Sequence, residues 1–596
     1  MLVHGEGDLL VPAHLNFGKW ILGRLRETDP ERVCLHSSTT GYKLTFEEVS
    51  QYAVRLAAAL TQRGAGRGDT VAVVGEPPAT FLPAGLAVLL AGAALTLIET
   101  ECGKDAHVQR GRPPLASLRL ACLGWPSFSR GFLISSIGVK EGRPLRYSAS
   151  ELGSKSIPAP SRVVKAILKH KLNLSKPKYV ICTQRFFEIY GDILKSSDFI
   201  KALICFDDIE GMESVEALVS SQGLDVDKFE PAAVEGQTDV ALVSFSSGTT
   251  GLSKGVLLTH LALIARINAI TQWHYDYNDS HSEPLQVGFF AEPDRTSYYD
   301  FKMMCTVMCS GQTLVYSDRD VDLKYVKEYQ AHTMLTVPAI VEMMVNAKEN
   351  YDLRSLKFVC TAGSPLNRRS AQLLQERYPD IKLVGLYGST ESGSIATTQN
   401  KAFDVDVANE DTADGYCVGH AVPGVTIKVV DRETREMLGP NQRGEICVRG
   451  PRLMKGYLGT TAPYLDEQGF YLTGDLGYFD HHKRIYLVGR LKDVINVMGH
   501  KVSPGDVEAV LRLHPAVQEA AVVGKPAEVE GEELPTAFVV LRPGAAATDA
   551  EIVDYVAQQV TWFMQLRGGV RFVAELPRST MQKILRKRLR EMLERE

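Results

Sequence analysis

The chain has 596 residues, 45% of them hydrophobic and 23% charged, with a formal net charge of −5. That is enough chain for several packed lobes, and the near-balanced charge gives no signature of a nucleic-acid or membrane partner. Ten cysteines are scattered without a CxxC pair. Cys182, Cys205, Cys360 and Cys447 sit in apolar strand-like runs, and the pairs Cys305/Cys309 and Cys417/His420 have no second pair to complete a metal site. Reduced thiols in a reducing compartment are therefore expected.

In chain order, no basic-then-apolar leader opens the sequence. Thr45 with Glu48 predicts a capping box ahead of an amphipathic helix to about Gln62, followed by a buried strand at residues 71–75. The apolar run 81–98 is interrupted by Pro83, Gly85, Gly92 and Thr96. It predicts a buried helix, a break at Gly92 and a strand, with a membrane span as the alternative. Residues 102–162 are basic, rich in Arg, Ser, Gly and Pro, and lack sustained periodicity. They are expected to be an insertion, either a lineage-specific element or translated non-coding sequence from a wrong gene model, with a disordered surface loop as the alternative. Strands at 179–183 and 202–206, separated by a helical length, continue an alternation that argues for a mostly parallel sheet covered by helices.

An apolar strand at 239–245 then runs into SSGTTGLSKG (246–255), read as a loop before a helix from Thr259 to residue 270. This loop suits a polyphosphate: its glycines let amides approach an anion, its hydroxyls donate, and Lys254 adds charge. It is not a Walker A loop, because Ser253 precedes Lys254 and Gly255 follows it. Alone, it is equally a Gly/Ser turn. TAGSPL (361–366) follows a strand, and so does YGSTE (387–391). In the latter a tyrosine ring offers a stacking plane, Thr390 a hydroxyl and Glu391 a hard oxygen ligand. YLTGD (471–475) ends in a carboxylate able to accept from two adjacent hydroxyls. From Lys492 onward a compact α+β unit is predicted. A helix starts at Ser503–Pro504 and reaches about Leu513, strands lie at AAVVG and AFVVL, and Thr548 with Glu551 caps a helix ending near Met564. A strand at 570–576 and a terminal amphipathic helix follow.

Taken together and in this order, SSGTTGLSKG, TAGSPL, YGSTE, TGD, the Arg490 segment and Lys583 resemble the acyl-adenylate-forming superfamily of acyl-CoA synthetases, 4-coumarate:CoA ligases, luciferases and adenylation domains. The resemblance implies an α/β fold. A large N-terminal domain (1–490) has mostly parallel sheets covered by helices plus a small β-rich subdomain, and a small mobile α+β lid (491–596) follows. It further implies that Ser246, Ser247, Gly248, Thr249, Thr250, Gly251 and Lys254 cradle the phosphates of ATP and that Gly363 gives close approach on the adenine side. Tyr387 and Gly388 lie against adenine, Thr390 touches the α-phosphate, Glu391 binds Mg²⁺, and Asp475 and Arg490 grip the ribose. Lys492 is the hinge, Gly499 the coenzyme A side of the lid, and Lys583 the lid's catalytic lysine.

The expected reaction is ATP-dependent, AMP-forming activation of a fatty or aryl acid and its transfer to coenzyme A. Three departures stand out. Gln582 replaces the usual glycine before the lysine, INVMG (495–499) replaces a lysine-rich segment, and 288–299 lacks the family's His and Gly while keeping aromatics. The last argues against a light-emitting luciferase. Two alternatives stay open: a stand-alone adenylation enzyme for a carrier protein, although no carrier domain follows the lid, and a degenerate nucleotide-binding protein. A cytoplasmic location is expected, since the final LERE is not a Ser-Lys-Leu type peroxisomal address.

Overall fold

The computed structural model describes residues 1–5, 14–98, 162–246, 253–291, 298–398, 416–527 and 533–595, apart from 39, 76–79, 222, 224–225, 318–320, 348, 364–365, 367, 462, 499 and 579–583. Two large sheets form the N-terminal part. The eight-stranded sheet runs in the order Gly456–Tyr457, Lys254–Thr259, Val240–Ser246, Ala94–Ile98, Thr70–Val74, Tyr179–Cys182, Ala202–Cys205, Glu213–Ser214. From Val240–Ser246 outward every pairing is parallel. As the alternation requires, helices connect these strands. Phe46–Gln62 starts at the predicted capping box, with Thr45 accepting from the Glu48 amide and Glu48 accepting from the Thr45 amide. Such a cap contributes about 1 kcal/mol. The apolar run resolves into the helix Phe81–Leu90, a positive-φ Gly92 and the strand Ala94–Ile98, all buried. Among the described residues no helix is long and apolar enough to cross a membrane.

The second sheet has fourteen strands and two characters. Its middle, from Lys382–Ser389 through Phe358–Ala362, Thr333–Thr336, Val287–Ala291 and Thr313–Tyr316 to Val33–Ser37, is parallel. The arm from Gly393–Thr397 through Tyr416–Ala421, Ile485–Arg490, Tyr471–Phe479 and Gly444–Arg449 to Thr426–Val430 is antiparallel. The C-terminal part holds a smaller sheet, Val517–Pro526, Glu533–Leu541 and Val570–Phe572, covered by the helices Pro504–Leu513, Asp549–Ala557 and Arg586–Glu594. It has its own core around Val507, Leu511, Val522, Val539 and Ile552.

Three local expectations are corrected. Lys254 and Gly255 are not loop: Lys254–Thr259 is a strand antiparallel to Val240–Ser246, with Lys254 opposite Ser246. The Ser/Gly segment is thus a hairpin connection, and the helix His260–Ser280, capped by Thr259 and longer than predicted, begins only after the second strand. The helix after Thr548 stops at Ala557 and a separate turn spans Trp562–Met564. Val560 and Thr561, both β-branched, intervene. The strand predicted at 570–576 covers only Val570–Phe572. The helix expected from Ser503–Pro504 forms as Pro504–Leu513, and the Ser503 hydroxyl donates to Val488 O at 2.9 Å.

Candidate functional site

Two polar clusters meet where the sheets approach. The first gathers around Tyr457, on the edge strand whose register sets Tyr457 opposite Val256. The Lys254 ammonium lies over the Tyr457 ring, 5.1 Å from its centroid, and the Tyr457 hydroxyl donates to Glu391 Oε1 at 3.2 Å. Lys254 belongs to the eight-stranded sheet, and Glu391 to the turn between two strands of the other. Burial, followed by the Glu391 carboxylate, pushes the Tyr457 phenol up to about 12, so it stays a donor.

The second cluster rests on the register pairing of Asp475 with Arg490. Arg490 Nε lies 2.6 Å from Asp475 Oδ1, and the Tyr387 hydroxyl donates to Asp475 Oδ2 at 2.6 Å. Thr473 supports it from below, accepting from the Asp475 amide and donating to Ile446 O. Burial first, then Asp475, raises the Tyr387 phenol far above its ordinary range. Burial works against the Arg490 charge, yet Asp475, Tyr387, Tyr471 and Glu391 raise its pKa. Tyr471 feels both clusters: burial first, then Glu391 and Tyr457, raise its phenol, while Arg490 lowers it.

The YGSTE segment is fixed from behind. Tyr387 and Gly388 lie within the strand Lys382–Ser389 rather than in a turn after it. A Cβ on Gly388 would fall 2.1 Å from Gly393 O, so no side chain fits there. The buried Arg266 guanidinium donates to Arg452 O at 2.8 Å, Thr390 O at 3.0 Å and Glu391 O at 3.1 Å, so two of its bonds hold the main chain of the turn. Gly363 has φ +97°, with open space where a Cβ would stand.

Of the sequence-predicted residues, Lys254, Tyr387, Gly388, Thr390, Glu391, Asp475 and Arg490 converge, with Ser246 at the end of its strand facing Lys254. Lys492 lies in the short turn Leu491–Asp493 that leads into the C-terminal part, its pKa lowered by burial. Ser247, Gly248, Thr249, Thr250, Gly251, Gly499 and Lys583 lie outside the described residues. Sequence reasoning missed Tyr457 and Arg266. Tyr457 has one retrospective signal, the glycines Gly456 and Gly459 on either side of it, both at positive φ.

Among the described residues no three His, Cys, Asp or Glu side chains group to hold a metal. Glu391 supplies one carboxylate, and a magnesium ion takes one or two from protein when waters and phosphate oxygens supply the rest.

The model of the AMP-binding enzyme family matches residues 24–110 and 147–458, and that of the AMP-binding enzyme C-terminal domain matches 506–583. Luciferin 4-monooxygenase of Nipponoluciola cruciata is 32% identical over 444 residues, 72% of this chain and 78% of its own length. 4-Coumarate–CoA ligase 1 of Petroselinum crispum is 28% identical over 594 residues, 98% of this chain and 95% of its own. In fold the chain is similar to ATP-bound MatB from Rhodopseudomonas palustris, with a TM-score of 0.75 at 22% identity, covering 97% of this chain and 99% of that one.

Proposed function

This chain belongs to the adenylate-forming AMP-binding enzyme family, and from that premise we propose that it is an ATP-dependent, AMP-forming acid:CoA ligase. Residues 1–490 form the nucleotide- and acid-binding domain, and 491–596 a lid turning about Lys492. The observation that carries the reading is the meeting of Lys254 and Glu391 on one ring, Tyr457, which brings a cation and a carboxylate from different sheets to one place.

In this reading the ring of Tyr387 packs on the adenine. Asp475, held by the Tyr387 hydroxyl and by Arg490, accepts from the ribose hydroxyls. Lys254 and the amides and hydroxyls of 246–251 surround the β- and γ-phosphates, while Thr390 donates to the α-phosphate. Glu391 is the residue that would hold Mg²⁺, which when bound neutralises charge on the phosphate oxygens. A carboxylate oxygen of the acid attacks the α-phosphorus, the bond to the pyrophosphate oxygen breaks, and acyl-adenylate and pyrophosphate result. Lys583 stabilises the charge on the phosphorus oxygens in that step. After the lid turns, a coenzyme A thiolate attacks the acyl carbonyl and AMP leaves. The residues supply position and charge rather than a nucleophile.

The test is acid-dependent exchange of pyrophosphate into ATP across a panel of fatty and aryl acids, followed by AMP release on adding coenzyme A. Exchange plus a thioester is expected. No exchange with any acid overturns the reading in favour of a nucleotide-binding protein. Exchange without thioester replaces coenzyme A by a carrier-protein acceptor.

A further inference from the structure

The helix Tyr298–Cys309 buries Phe301, Met303, Met304, Cys305 and Val307 in the large domain. Among them stands Lys302, only 5% exposed. Its ammonium donates to Ser394 Oγ at 3.2 Å. The charges that act on it are like charges, the guanidinium groups of Arg266 and Arg452, themselves 1% and 2% exposed, and no carboxylate among the described residues pairs with it. Arg266 is engaged with the carbonyls of Arg452, Thr390 and Glu391, and Arg452 Nε with Ala265 O. An ammonium has three protons to place, and among the described residues one hydroxyl meets only part of that demand, in a medium where an unpaired charge is costly. Burial first, then the two guanidiniums, lower its pKa to about 7. Packing alone does not explain a lysine here, because its neighbours Met303 and Met304 fill equal volume without charge.

Its address is informative. Ser394 is the register partner of Gly388 in the YGSTE strand, so Lys302 reaches the segment adjoining the proposed adenylation centre. It closely follows the aromatic segment 288–299 along the chain. We propose that Lys302 is a specificity-determining residue that binds a second carboxylate of the acid substrate, so that this chain activates dicarboxylic acids in preference to plain fatty or unsubstituted aryl acids. The inference rests on the acid-activating reading above. A second carboxylate accepts from the ammonium and from the Ser394 hydroxyl as charge-assisted bonds. An apolar chain in the same place leaves the buried cation unmatched, which is how a site built for a polar group rejects the analogue lacking it.

The experiment measures pyrophosphate exchange by the full-length wild type with straight-chain dicarboxylic acids of graded length and with monocarboxylic acids of equal length. The best dicarboxylate is expected to exceed its monocarboxylic partner at least about tenfold in kcat/KM. Lys302→Met is expected to raise KM for that dicarboxylate about 10²-fold with kcat little changed and to improve the monocarboxylic acid, while Lys302→Arg keeps part of the preference. A wild-type preference for monocarboxylic acids at every length overturns the inference while leaving acid activation standing. So does a Lys302→Met variant that loses kcat alike on both classes. Absence of exchange with every acid overturns the acid-activating reading itself, and this one with it. Should Lys302→Met fail to fold, the wild-type comparison decides alone.

Discussion

The strand-borne half of the site and the C-terminal part are held in place by different means. On the strands, candidate residues are set by register: Asp475 faces Arg490, Gly388 faces Ser394, and Val256 faces Tyr457. A slip of one residue would turn every side chain to the other face, so the sheet permits one arrangement. The C-terminal part meets the large domain through the bond from Ser503 to Val488 O and the 3.0 Å pair of Arg443 with Asp506, among other contacts in the described residues. Each such link contributes about 1 kcal/mol or less. The chain crosses between the two parts at Leu491–Asp493, a single short turn. In the proposed reading the first half keeps a nucleotide's shape and the second changes pose between half-reactions.

That contrast breaks most sharply at Lys583. If the small domain delivers this cation only for the first half-reaction, Lys583→Ala lowers acid-dependent pyrophosphate exchange by at least about 10²-fold, the loss typical of one transition-state donor. Conversion of supplied acyl-adenylate and coenzyme A to thioester stays near wild type. Equal losses in both half-reactions would mean that the lid has one working pose.

The same contrast governs what the sequence made legible. Both capping boxes, Thr45 with Glu48 and Thr548 with Glu551, form as read, because their partners lie three residues apart and the bonding is local. Arg162, where the irregular composition ends, is the first residue of the helix Arg162–Ser175. The motif resemblance singled out Glu391, Asp475 and Arg490, and the apolar strands around them were plain in sequence: Glu391 follows Lys382–Ser389, and Asp475 and Arg490 lie in strands. The second strand of the hairpin escaped notice: VLL between glycine and threonine is too short for either period to declare itself, and a Ser/Gly segment looks the same before a strand as before a helix. Tyr457 and Arg266 were not legible, since their partners Glu391 and Arg452 lie 66 and 186 residues away along the chain. Lys302 reads in sequence as one cation on an apolar helix, and only its burial beside two guanidiniums makes it conspicuous.

A smaller effect sharpens the joint itself. Lys492→Pro fixes a backbone angle that a hinge must change. Pyrophosphate exchange is expected to hold within about threefold while overall thioester formation falls about tenfold, read by single-turnover assays of each half-reaction. Unchanged overall turnover would move the hinge away from this turn.

The smallest effect probes the fixed half. Tyr387→Phe keeps the ring but removes the hydroxyl that donates to Asp475 at 2.6 Å. A buried hydrogen bond to a charged acceptor contributes about 1.5–3 kcal/mol, and Asp475 keeps its pairing with Arg490, so a loss near the lower end is expected in denaturant unfolding. If the ring's work is to pack against the base, KM for ATP shifts by no more than about threefold in Tyr387→Phe and by about tenfold or more in Tyr387→Ala, which removes the plane. Equal shifts in the two variants would assign the residue to holding Asp475 in place, and the register of the strands would then serve the ribose side alone.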